Sequence, residues 1–216
     1  MKLTEQQLIK LTEMIEITTQ KKINEYTKEN SILSKADIVF AGDSMIDYMP
    51  VKTLFPQYEI INRGIAGSTT KSFLANLDKI ITPLKPKALF ISIGSNDLVM
   101  FNQAVEQVIE NIKTVLSKIK EKLPHTTLYY LSTTPVVAET EKIYKQLYIG
   151  GRTNLEQQTI NQALKQENIQ YINVYDVLID KNGYLERSYT ADGIHLNQTG
   201  YQVYAKQIEP YINEII

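Results

Sequence analysis

A chain of 216 residues without a single cysteine excludes a disulfide framework, a thiolate metal site, an iron–sulfur cluster and a cysteine nucleophile. With 23 Lys and Arg against 24 Asp and Glu, a net charge of -1, nothing in the bulk electrostatics recruits nucleic acid or an anionic membrane. At 43% apolar residues this length suits one domain burying about 70% of its unfolded surface, so the core needs no covalent staple.

Residues 1–30 read as a helix. Thr4 and Gln7 fit a capping box, and Leu8, Leu11 and Ile15 recur at helical spacing. The segment carries five Lys and five Glu and no candidate chemistry, so an added helix packed on the domain surface is expected, with a homodimer contact as the alternative. The first residues have neither the apolar stretch nor the cleavage site of a secretory signal, and no run approaches membrane-spanning length. A cytoplasmic protein without membrane insertion is the expectation.

From Ala36 the texture changes to short apolar runs separated by helical stretches, the rhythm of a parallel sheet. The runs at 37–41, 58–61, 88–93, 127–132 and 169–174 predict five strands. Helices are expected near 46–54, 70–81, 102–121, 152–166 and 198–214, punctuated by Pro83, Pro86, Pro124 and Gly150-Gly151. The division is therefore an N-terminal helical extension over 1–35 and an α/β domain over 36–216.

A doubly wound sheet offers a crevice outside the carboxyl ends of its strands. Unusual residues stand just there: Gly42-Asp43-Ser44 after the first run, Gly64-Ile65-Ala66-Gly67 after the second, and Gly94-Ser95-Asn96-Asp97 after the third. Of the two histidines, His125 follows Pro124 at the opposite edge and reads as an exposed loop residue. His195 sits in the turn Asp192-Gly193-Ile194-His195, where an Asp three residues ahead can accept the Nδ1 proton and leave Nε2 as a base. Ser44, where a helix begins, is the hydroxyl such a base could deprotonate, although an N-cap serine would look the same. Gly67 can offer a backbone N–H and Asn96 a side-chain N–H to an oxyanion, although each could equally be a turn residue.

Taken together, Gly42-Asp43-Ser44, Gly67 within Asn62-Arg63-Gly64-Ile65-Ala66-Gly67, Gly94-Ser95-Asn96-Asp97 and Asp192-Gly193-Ile194-His195 resemble, in order, the four blocks of the SGNH (GDSL-type) hydrolases. The similarity runs from about Asp37 to Tyr204 and is greatest to small bacterial acylhydrolases of the platelet-activating-factor-acetylhydrolase type. It implies a flavodoxin-like three-layer α/β/α sandwich with a five-stranded parallel sheet. It also implies Ser44 as nucleophile, His195 as general base and then acid, Asp192 orienting it, and an oxyanion hole of Ser44, Gly67 and Asn96. No metal or cofactor is implied. The sequence departs from the family where Met45 replaces a frequent leucine, and where Ser68 follows Gly67 in place of Asp, which bears on how the second loop is tied down.

Other readings fare worse. An α/β-hydrolase needs Gly-x-Ser-x-Gly, which is absent. A binuclear metallophosphoesterase recruits several histidines. A non-catalytic anion- or carbohydrate-binding module on the same fold gives His195 no role. The expected function is a serine esterase acting on small-molecule acyl esters, acetyl above all, since no long insertion suggests a lid for a fatty chain. Leu98 to Phe101 and Val136 to Gly151 follow strands at the same edge and are candidates for shaping the pocket.

Overall fold

The computed structural model describes residues 2–33 and 36–215. Met1, Ser34, Lys35 and Ile216, which fall within the expected extension and domain, lie outside the described residues. In chain order the elements are α1 (Glu5–Asn30), β1 (Ile38–Gly42), α2 (Ser44–Asp47), α3 (Val51–Leu54), β2 (Ile60–Gly64), α4 (Thr70–Ile80), β3 (Ala88–Ser92), α5 (Asp97–Met100), α6 (Val105–Lys122), β4 (Thr127–Leu131), α7 (Gln146–Ile149), α8 (Asn154–Lys165), β5 (Gln170–Ile172) and α9 (Gln198–Asn213).

The five strands form one parallel sheet in the order β2-β1-β3-β4-β5, the flavodoxin-like arrangement. Alternation along each strand feeds two cores. Val39, Ala41, Leu89, Ile91 and Tyr130 pack with side chains of α1, α4, α6 and α8, whereas Ile38, Phe40, Phe90, Tyr129 and Leu131 pack with α2, α3 and α9. On the second face Phe40, Phe90 and Tyr129 stack across three strands with ring centroids 4.8 and 4.5 Å apart.

Register determines where the chemistry lies. Gly42 pairs with Gly64 on one side and with Ser92 on the other, so three strands end level and their following loops share one edge. The order of the sheet reverses at β1, making this edge the crevice where ligands bind in such folds.

Two expected helices differ in outline. The helix expected at 46–54 is two short ones, α2 and α3, broken before Val51 by Pro50, whose ring cannot continue α2. The one expected at 102–121 begins three residues later, because Asn102 adopts a φ of +48° between α5 and α6.

The capping box of α1 forms as the spacing predicts, with Thr4 Oγ1 accepting from Gln7 N and Gln7 Oε1 accepting from Thr4 N. At 26 residues α1 is about 39 Å long, against about 17 Å for a five-residue strand. It runs down to the start of β1, so its N-terminal half overhangs the carboxyl edge of the sheet. Only Ile23 and Tyr26, in its second half, are buried core residues. Among the described residues no helix is long and apolar enough to cross a membrane.

Candidate active site

Ser44 opens α2 directly after β1, and Gly42 is what allows the chain to turn there. Its φ is +142°, and a Cβ at that position would lie 1.9 Å from the Ser92 carbonyl oxygen of the neighbouring strand. Asp43 is the cap of α2, its carboxylate accepting from Met45 N at 3.0 Å. Burial pushes the Asp43 carboxyl up to about 6, against the Met45 N–H and the charges of Arg152 and His195.

His195 reaches Ser44 across 151 residues of sequence. Ser44 Oγ lies 3.1 Å from Nε2, and Nδ1 lies 2.7 Å from Asp192 Oδ2. With Nδ1–H donated to Asp192, Nε2 is the acceptor for the serine proton. The turn is built by short-range bonds. Asp192 Oδ1 accepts from the backbone N–H of Ile194 and His195, while Thr190 Oγ1 accepts from Gly193 N and donates to the His195 carbonyl at 2.7 Å. Burial alone would raise the Asp192 carboxyl; the His195 ring and the two backbone N–H groups outweigh it and hold it below the ordinary value.

Gly67 and Asn96 line the same cavity as Ser44 and His195. Gly67 has a φ of +81°, which glycine adopts without strain. Among the described residues neither the Ser44 N–H nor the Gly67 N–H is given to a protein acceptor. Asn96 Nδ2 donates one hydrogen to the Ser68 carbonyl at 2.9 Å and has a second to give. The structure thus gathers Ser44, Gly67, Asn96, Asp192 and His195 at one edge, and leaves His125 exposed in the loop before β4.

Several residues at this edge carry no signal in the sequence. Arg152, buried after α7, donates to Asn96 Oδ1, to the Ser95 carbonyl at 2.9 Å, and to the carbonyls of Tyr148 and Ile149 at 2.7 and 2.9 Å. Burial draws its guanidinium pKa down to about 10, against the opposing pull of Asp43 and Glu156. Tyr48 and Tyr148 flank the His195 ring edge-on, with centroids 5.1 and 5.7 Å away. Of the two segments expected to shape the pocket, Val99, Met100, Leu147 and Tyr148 line it; Leu98 and Val136 instead fill the two cores. Against the expectation of a surface helix without chemistry, Leu11, Met14, Ile15 and Thr18 of α1 also line the cavity, because the helix outlasts the strands beneath it. The cavity holds about 280 Å³.

The profile of the GDSL-like lipase/acylhydrolase family matches residues 42–203. The chain is 31% identical over 193 residues to an N-acylneuraminate cytidylyltransferase of Escherichia coli, covering 87% of this chain and 42% of that protein. It therefore spans less than half the length of this curated relative. A solved structure from Streptococcus pneumonia described as a platelet activating factor superposes with a TM-score of 0.86 at 29% identity, over 97% of this chain and 100% of the other. An acylhydrolase from Bacteroides fragilis does so with a TM-score of 0.76 at 23% identity, over 88% and 95%, a likeness of fold. The chain belongs to the GDSL-like lipase/acylhydrolase family. That family is one of carboxylic ester hydrolases.

Proposed function

We propose that the protein hydrolyses short acyl esters, acetyl above all, through an acyl-Ser44 intermediate. The observation that carries this reading is the unbroken path Ser44 Oγ to His195 Nε2, and His195 Nδ1 to Asp192, opening into the cavity. His195 takes the Ser44 proton as Oγ attacks the ester carbonyl carbon, and Asp192 holds the ring in the required tautomer and supports the imidazolium. The oxyanion receives the Ser44 and Gly67 N–H groups and the second Asn96 Nδ2 hydrogen. The imidazolium then protonates the departing alcohol. Water, deprotonated by His195, releases the acid.

A cavity of about 280 Å³ lies at the small end for ligand sites, which supports a short acyl group. For the alcohol, the E. coli relative supports an acylated sugar. Its name assigns N-acylneuraminate to a protein more than twice the length of the matched part, and an ester of that sugar is a substrate the two parts would share. We place the protein in the cytoplasm, as a soluble enzyme without nucleic-acid partners.

The test is acid release from p-nitrophenyl acetate, butyrate and octanoate and from O-acetylated N-acetylneuraminate, by wild type and Ser44→Ala, with fluorophosphonate labelling mapped by mass spectrometry. Acetate release lost in Ser44→Ala, with the label on Ser44, is expected. Faster turnover of octanoate than acetate overturns the acyl assignment, and an unlabelled Ser44 in a protein without turnover favours a binding module.

A further inference from the structure

The helix α1 precedes residues 42–203, yet it is fastened to the site by three independent sets of contacts. Lys22 pairs with Asp47, whose other carboxylate oxygen accepts from Ala66 N at 2.9 Å, so the helix braces the residue before Gly67. Tyr26 Oη donates to the Gly64 carbonyl at 2.8 Å, and the buried Arg63 side chain lies over the Tyr26 ring while pairing with Glu29 at 2.8 Å. Ile15 stands directly over Gly67, where a Cβ would come within 2.6 Å of its side chain. At the other end of this segment Lys2 donates to Asn102 and its carbonyl accepts from Gln146, so the chain crosses to the turn after α5 and to the start of α7.

We propose that α1 is the specificity wall of the acyl site, with Leu11, Met14 and Ile15 setting the longest acyl chain accepted. The inference rests on Ser44 being the nucleophile. Once Oγ is bonded to the carbonyl carbon, the oxyanion turns to the donors at Ser44, Gly67 and Asn96, and the leaving oxygen must face His195 Nε2 to be protonated. The acyl chain takes the one remaining direction. The rings beside His195 are Tyr48 and Tyr148, polar-tipped and about half exposed, which suits an alcohol at the mouth. Leu11, Met14 and Ile15 supply one part of the apolar wall that remains, beside Val99, Met100 and Leu147, and Ile15 is the part that stands over the Gly67 donor; a methylene more or less in such a wall is worth about 10–200-fold in discrimination.

The experiment measures kcat/KM for acetyl, butyryl and hexanoyl p-nitrophenyl esters in wild type, Met14→Ala, Ile15→Ala and Ile15→Phe. Ile17→Ala, at a 75% exposed position that does not line the cavity, serves as control. Truncation at Met14 or Ile15 is expected to raise the butyryl-to-acetyl ratio about tenfold or more, and Ile15→Phe to lower it, with Ile17→Ala unchanged. Met14 is 57% exposed, so its truncation leaves the core intact. A ratio that stays within twofold of wild type in all three wall variants overturns the proposal. Ser44→Ala separates the two levels. Hydrolysis that depends on Ser44 with an unmoved ratio refutes the wall alone, and hydrolysis that survives Ser44→Ala refutes both.

Discussion

Arg152 donates to Asn96 Oδ1 and thereby decides which end of the Asn96 amide faces the cavity. With the oxygen taken, Nδ2 turns towards the Ser68 carbonyl and the space beside Ser44. Arg152→Lys keeps a cation but loses the planar fork that serves four acceptors. Its kcat should fall about tenfold or more with KM changed less than about threefold, short of the ~10²–10³ lost on removing an oxyanion donor. Steady-state kinetics check this, and the same substitution in an Asn96→Ala background should add little, because both act through one amide.

Asn96→Ala itself should lower kcat by about 10²–10³, and should also destabilise by about 1–3 kcal/mol, because it strips the buried Arg152 of one acceptor. Retained kcat would remove this amide from oxyanion stabilisation.

Asp192→Asn should cost up to about 10⁴ in kcat, since an amide at Asp192 can present its N–H₂ to the ring and favour the wrong tautomer. The Ser44 phosphonylation rate is a direct readout, and it should fall in parallel.

Asp43 predicts a pH dependence of stability. Its carboxyl titrates near 6 when folded and near 3.8 otherwise, so between these values the folded state binds more protons than the unfolded one. Stability should therefore fall as pH rises through about 4–6, by about 3 kcal/mol from this group. Asp43→Asn retains an oxygen to cap Met45 N and should flatten that window. Urea unfolding between pH 4 and 7 tests it, and equal slopes in the two proteins would refute it.

Gly67→Ala should destabilise by about 1–3 kcal/mol, from a positive φ and from displacement of Ile15. Ile15→Ala opens the space but leaves the backbone strain, so the double variant should be less destabilised than the sum of the singles by about 0.5 kcal/mol or more. Denaturant midpoints of the four proteins give that difference.

The architecture was readable because both of its signals are local. Apolar runs of five residues separated by helical stretches specify a parallel sheet, and glycines at Gly42, Gly64 and Gly94 mark the strand ends. That the loops carrying Ser44, Gly67 and Asn96 share an edge followed from topology, since they come after neighbouring parallel strands, whereas the meeting of Ser44 with His195 rested on the Asp192-to-His195 turn and on the resemblance of the four blocks. What escaped was carried by length and by side-chain reach. Nothing in the composition of α1 says that its first half overhangs a crevice; that follows only when 26 helical residues are laid against five-residue strands. Arg152 was invisible for a different reason. Its partners are three carbonyls and one amide, and such acceptors leave no pattern in a sequence. Pro50 and Asn102 broke two helices whose apolar periodicity ran on through them.

The apolar side chains over Gly67 and the bond-breaking groups beneath them are encoded in separate stretches of one gene. A change at Leu11, Met14 or Ile15 therefore alters the lining of the cavity while leaving Ser44, His195 and Asp192 in place. Such an arrangement makes for evolvability at some positions of the helix and constraint at others: Met14 stands at the cavity and is free to vary, whereas Lys22 and Tyr26 hold the loop before Gly67 and are not.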